Sequence, residues 1–141
     1  MFLFDVNIYV HAHREDSPHH QVCRDFLEKH LAGPNLTGYS PLALSGFLRI
    51  VTHPKVFNPP SELDTAIYFC NSITKLQNAV PVYPGESQWS VFTHLLRANN
   101  AKGNLVPDAW FAALAIGCGC TWVTTDRDFS RFKGLDIEYP V

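Results

Sequence analysis

Three aspartates stand where chemistry would be done if the elements around them fold as their patterning predicts. Asp5 closes the apolar run Met1–Phe4, with Asn7 two residues beyond it. Asp126 closes the run Thr121–Thr125, in which Thr124 lies, and Asp128 follows two residues on. Asp108 comes after Pro107 at the start of the apolar stretch Ala109 to Ile116. That is the first turn of an expected helix, where the dipole favours an ionised carboxylate. In parallel α/β sheets, ligands bind beyond the carboxyl ends of the strands, and these acids fall at that edge. Alone, each would serve equally well as an N-cap or a turn residue. Together they repel one another unless a positive charge lies between them. A hard divalent cation, Mg²⁺ or Mn²⁺, takes oxygen ligands and keeps water positions open to a phosphate. The chemistry that follows is phosphodiester hydrolysis, in which the metal polarises the phosphoryl group and makes a nucleophile of water.

The elements that must carry these acids are read from periodicity. Apolar runs rich in β-branched or aromatic residues recur at Met1–Phe4, Asn35–Tyr39, Ala79–Tyr83, Thr121–Thr125 and Asp136–Tyr139, with helical patterns between them. This alternation predicts a three-layer α/β domain with a central parallel sheet flanked by helices. Between the first two runs, Val22, Cys23, Phe26, Leu27 and Leu31 share one helical face, opposite Arg24, Asp25, Glu28 and Lys29. Ser40-Pro41 supplies an N-cap and a first-turn proline for a helix that stops before His53-Pro54. Ser61 and Asp64 predict a variant capping box for the next one, so helix follows helix without a strand between. Pro84-Gly85 opens a further helix ending at Asn99-Asn100.

Composition bounds the function. The 141 residues are expected to form one domain over residues 1–141. A hydrophobic content of 46% and a net charge of -2 exclude a disordered tail or a polybasic arm. They leave room for a nucleic-acid partner met by a local basic rim. No basic leader precedes Asp5, and the longest uncharged stretch, Ala109 to Thr125, is short for a membrane helix, so a cytoplasmic location is expected. The four cysteines lack zinc-finger spacing and read as core thiols.

Phe4-Asp5-Val6-Asn7-Ile8 opens the chain, and Ser45-Gly46-Phe47-Leu48-Arg49-Ile50-Val51-Thr52-His53-Pro54 occupies its middle. Leu105-Val106-Pro107-Asp108-Ala109 then leads to Thr124-Thr125-Asp126-Arg127-Asp128-Phe129. In this order the blocks resemble the PIN-domain ribonucleases, most closely the VapC-type toxins of bacterial toxin–antitoxin pairs. The resemblance implies a metal-dependent endoribonuclease that cleaves cellular RNA and is held inactive by a cognate antitoxin. It makes Asp5 and Asp108 the principal Mg²⁺ (or Mn²⁺) ligands and Asp126 a later acidic partner. Asn7 and Thr124 would orient ligands or water, and Asp128 is an auxiliary candidate. It also implies a homodimer, and an antitoxin groove between the helix after Pro41 and the one after Pro60, flanked by Phe57. One departure stands out. The family usually has a glutamate three residues before the arginine of the middle block, and here that position is Gly46. Glu62 and Glu86 are distant substitutes that no pattern places at the sheet edge. One well-held ion is therefore expected, because affinity rises with ligand charge.

Arg49 and Arg127 lie beside motif blocks and are the expected RNA-phosphate contacts. His11, His13, His19 and His20 suit zinc or nickel better than magnesium and are read as exposed or RNA-facing. Trp89, Phe92 and Trp110 are assigned to the core or a dimer surface. Two rival readings stay open. One is a catalytically weakened PIN-like module that binds RNA or antitoxin without cutting. The other is a phospho-acceptor domain in which Asp5 or Asp126 carries a transient phosphate. The second expects a lysine facing the site from the last strand, whereas Lys133 precedes Gly134 in an apparent loop.

Overall fold

A computed structural model describes all of residues 1–141. Five short strands, β1 (Phe2–Phe4), β2 (Thr37–Tyr39), β3 (Ala79–Pro81), β4 (Thr121–Val123) and β5 (Ile137–Glu138), make one sheet. All pairings are parallel, and the spatial order is β3-β2-β1-β4-β5. The helices are α1 (Val6–His13), α2 (His20–Leu31), α3 (Pro41–Val51), α4 (Leu63–Thr74), α5 (Gln88–Ala98) and α6 (Leu105–Cys118). A 3₁₀ turn over Arg127–Arg131 follows β4. The fold is thus the expected α/β arrangement of a parallel sheet flanked by helices.

Strand geometry divides the interior in two. Successive side chains alternate faces, and the register pairs Leu3 with Trp122 and Phe4 with Val123. Leu3 and Trp122 enter a core with Phe92 of α5 and the alanine-rich face of α6, while Phe4 and Val123 enter another with α1 to α4. Trp122 is sandwiched aromatically, its ring 5.4 Å from that of Phe111 and 5.5 Å from that of Phe129.

The sheet order also fixes where a ligand can sit. The chain steps outward from β1 to β2 to β3, then returns to place β4 on the other side of β1. That reversal opens a crevice at the carboxyl ends of β1 and β4. Asp5 stands at the first end, and Thr124 and Asp126 just past the second.

Several boundaries differ from the sequence reading. Patterning did not separate α1 from β1, because the apolar residues continue through Ile8 and Val10 with only Asp5 and Asn7 between. The helix α6 begins at Leu105 rather than after Pro107, yet Asp108 stays in its first turn. It ends at Gly119, whose φ of 67° is left-handed, and the Cys120 amide donates back to the Ala115 carbonyl at 2.9 Å. The ladder of β4 stops at Val123, two residues short of the expected run. Glu62, not Ser61, precedes α4, and it makes no capping bond. The Ser61 hydroxyl is taken instead by Arg14 and His13. Cys23, Cys70 and Cys120 are buried thiols, whereas Cys118 is exposed. Phe92 is core, but Trp89 is 67% exposed. No helix is long and apolar enough to cross a membrane.

Trp122 tests the sheet interior on which the crevice rests. Its indole N–H is buried without a partner, so its contribution is packing alone. Trp122→Ala should lower unfolding free energy by about 3–5 kcal/mol, and Trp122→Phe by less than half of that, in urea titrations. A loss under about 1 kcal/mol for the alanine variant would refute this account.

Candidate active site

Asp5 is the residue at which β1 turns into α1. Its backbone is extended at the N-cap position, and its amide donates to the Val123 carbonyl at 2.9 Å. Its side chain does not cap the helix. The carboxylate turns instead toward β4, where Oδ2 accepts from the Thr124 hydroxyl at 2.6 Å and from the Asn7 amide at 2.9 Å. Both bonds fall on one oxygen. Asn7 also donates to Thr124 Oγ1 at 3.1 Å, closing a three-membered network across the crevice. With only 7% of Asp5 exposed, burial pushes its pKa up to about 7. The Thr124 hydroxyl and the Val6 amide oppose that rise, and the charges of Asp108 and Asp126 add to it.

The same network shapes the segment after β4. The Asp126 amide donates to Thr124 Oγ1 at 3.0 Å, and the Thr125 amide donates to Asn7 Oδ1 at 3.2 Å. The Asp126 carboxylate then caps the 3₁₀ turn, accepting from the Asp128 amide at 2.9 Å. Asp108 enters from the first turn of α6. Burial and the charges of Asp126 and Asp128 push its pKa up to about 6, and Arg131 draws it down. Arg131 also pairs with Asp128 at 3.7 Å.

Asp5, Asp108 and Asp126 line one open cleft of about 340 Å³. The three acids of the sequence reading therefore line the same cleft, where the charges of Asp108 and Asp126 add to the rise at Asp5 and that of Asp126 to the rise at Asp108. As placed, they are not drawn to ligating distance of a common point. The donor set is nevertheless that of a hard divalent cation, carboxylate oxygens, two of the three acids raised toward neutrality chiefly by burial.

The other candidates divide. Arg49 is exposed on α3, near the C-terminal end of that helix. Arg127 is committed elsewhere: its guanidinium lies 3.9 Å from the centre of the Tyr139 ring and donates to the Val141 carbonyl at 2.6 Å. Gly46 faces α1, and a Cβ there would stand 3.1 Å from Val6 Cγ2. Lys133 borders a different cavity, beside His94 and Asn99, which removes the lysine that a phospho-acceptor site needs. The apolar Ile50 and Val56, missed by sequence reasoning, line the cleft as well. His11, read from the sequence as exposed or RNA-facing, is half-buried in that lining, four residues after Asn7 on one face of α1. Its Nδ1 is hydrogen-bonded to the Ser17 hydroxyl.

Comparison with known proteins gives the family. The PIN domain model matches residues 2–135. Ribonuclease VapC31 of Mycobacterium tuberculosis is 36% identical over 135 residues, covering 96% of this chain and 95% of the relative. Ribonuclease VapC43 of the same species is 34% identical over 141 residues, covering 100% and 96%. Among solved structures, VapBC2 from Rickettsia felis, bound to a DNA fragment from its promoter, superposes with a TM-score of 0.70 at 18% identity, over 98% of this chain and 97% of that one. VapC20 of Mycobacterium tuberculosis, a sarcin-ricin loop cleaving toxin, gives 0.66 at 13% identity, over 92% and 93%. The acids gathered at the β1–β4 crevice thus sit in a chain that belongs to the PIN-domain family, within its VapC ribonuclease branch.

Proposed function

We propose that residues 1–141 act as a single domain, the toxin of a toxin–antitoxin pair. In this reading it is an endoribonuclease of the cytoplasm that depends on Mg²⁺ or Mn²⁺. Asp5, Asp108 and Asp126 are the proposed metal-holding and catalytic residues. The observation that carries this reading is their convergence from three distant segments into one cleft, with Asp5 buried and raised to a pKa of about 7. Likeness to proteins named ribonucleases, at 34% identity or more over nearly the whole chain, supports the RNA substrate.

Each residue then has a task. Thr124 and Asn7 occupy Oδ2 of Asp5 and fix the carboxylate that lines the cleft. Asp126 is positioned by its own cap of the 3₁₀ turn, and Asp128, paired with Arg131, adds negative charge at its edge. The bound cation supplies Lewis acidity toward the phosphodiester and lowers the pKa of water. Gly46 leaves a three-acid set, which supports one strongly held ion. Arg49 is the phosphate contact, and Arg127 contributes charge from a guanidinium held against Tyr139. A second copy of the chain and the antitoxin are the proposed protein partners, the antitoxin lying between α3 and α4. The exposed apolar Leu63, Ile67 and Tyr68 of α4 support a docking face there.

Asp5→Asn and Asp108→Asn should each lower RNA cleavage by about 100-fold or more, measured with Mn²⁺ on end-labelled RNA. Unchanged rates in either variant would overturn the assignment. RNA bound but never cut by the wild-type chain, with any divalent ion, would favour the weakened-module reading.

Stability carries an independent signature. Without metal, the native state holds protons on Asp5 and Asp108 that the unfolded chain has released. The contribution is therefore complete below the ordinary value of 3.8 and lost as pH rises through about 6 and 7. The metal-free protein should lose about 2–4 kcal/mol between pH 4 and 8 relative to Asp5→Asn. Divalent metal competes with those protons. Excess Mn²⁺ should raise Tm by about 4–8 °C at pH 8 and by far less at pH 5. Identical melting with and without Mn²⁺ at pH 8 would sink the site.

A further inference from the structure

Hydrolysis accounts for the acids of the cleft but not for its apolar half. Ile50, Val56 and Phe57 line it together with Val6 and Val10 of α1. Val56 is 55% exposed, so an apolar surface stands open beside three carboxylates. Phe57 is held firmly. Its amide and that of Val56 both donate to the His53 carbonyl, at 3.1 and 3.0 Å. The guanidinium carbon of Arg14 lies 4.3 Å from its ring centre. Arg14 is itself fixed, with a two-pronged bond to Asp16 at 2.8 and 2.6 Å and further bonds to the Pro59 carbonyl and the Ser61 hydroxyl. Its side chain is only 12% exposed. A clamped cation thus backs the aromatic ring, which packs partly against the core and presents its remaining surface to the cleft.

The shape of the occupant follows. A cleft of about 340 Å³ suits one small-molecule-sized group. With the divalent cation of the proposed function between the acids and a phosphate, an apolar wall beside them suits a chain that alternates phosphate with flat uncharged rings. We infer that Phe57, with Val56 and Ile50, forms a stacking subsite for an unpaired nucleobase beside the scissile phosphate. The inference rests on the RNA-cleaving reading and adds to it a contact with one base that is free to stack. His11, with Nδ1 engaged by Ser17, keeps one ring nitrogen for the edge of that base.

The test replaces bases one at a time by abasic ribose around a mapped cleavage position, with Mn²⁺ present. In the wild-type chain, one flanking position should lose about 5- to 150-fold in kcat/KM when its base is removed. Phe57→Leu, which keeps apolar volume, and Phe57→Ala should lose a similar factor on intact RNA and become insensitive to the abasic change. Phe57→Trp should restore both. The same ratio, read as affinity by fluorescence anisotropy in the uncut Asp108→Asn background, separates the two readings. Abasic discrimination in binding without any cleavage by the wild-type chain supports the subsite and overturns the nuclease. Cleavage that is indifferent to every abasic position, or unchanged discrimination in both Phe57→Leu and Phe57→Ala, overturns the subsite. So does a Phe57→Leu chain that handles RNA normally and loses only its grip on an antitoxin, which would give the wall to a protein.

Discussion

A carboxylate buried between two parallel strands is the constraint around which this site is arranged. Removing Asp5 from water is unfavourable, and the unfavourable part grows if the group is charged. The chain does not relieve it with a basic side chain. It offers two neutral donors, Thr124 from beyond β4 and Asn7 from α1, both directed at one oxygen. Asn7 reaches Asp5 from two residues along the chain, but Thr124 cannot reach it unless β1 lies beside β4 in the observed register, with Phe4 opposite Val123. Strand pairing and site assembly are therefore one event. The Thr124 hydroxyl and the Asn7 amide also receive the backbone amides of Asp126 and Thr125, so the groups that hold the first acid set the path that delivers the third.

Much of this was legible in the sequence because it depends on strand direction. In a parallel sheet every strand ends on the same edge, so acids at the ends of predicted strands had to share a side, and Asp5, Asp108 and Asp126 do. What was not legible depends on where side chains go once backbones are placed. Arg127 sits inside a motif block, but its stack on Tyr139 involves a residue twelve positions later that only tertiary packing brings near. Ser61 has the type and spacing of a capping residue. It is claimed by Arg14 and His13, whose positions depend on α1, an element hidden in a continuous apolar run. The place of His11 in the cleft lining depends on the same helix.

Gly46 shows how a missing ligand can be a structural choice rather than a gap. The place its Cβ would take is already approached to 3.1 Å by a methyl of Val6, so α1 and α3 meet there through glycine against valine. Where the family usually places a negative charge, this chain has close packing. Fewer acids mean less mutual repulsion in the metal-free state and a weaker field for a second cation. On the proposed reading, catalysis then leans on a single ion, and a single ion grips the phosphate less firmly than two.

Substrate positioning has to come from elsewhere, and the packing that removed the ligand bears on where. Val6 lines the same cleft as Ile50, Val56 and Phe57, so the residue that fills the space beside Gly46 also extends the apolar wall. Binding energy from such a wall acts on parts of the substrate that do not react, and it serves catalysis only if it fixes the reacting phosphate in place. The rigidity of Arg14 under Phe57 is what makes that transfer physically reasonable, because a ring free to swing would bind a base without orienting the bond beside it.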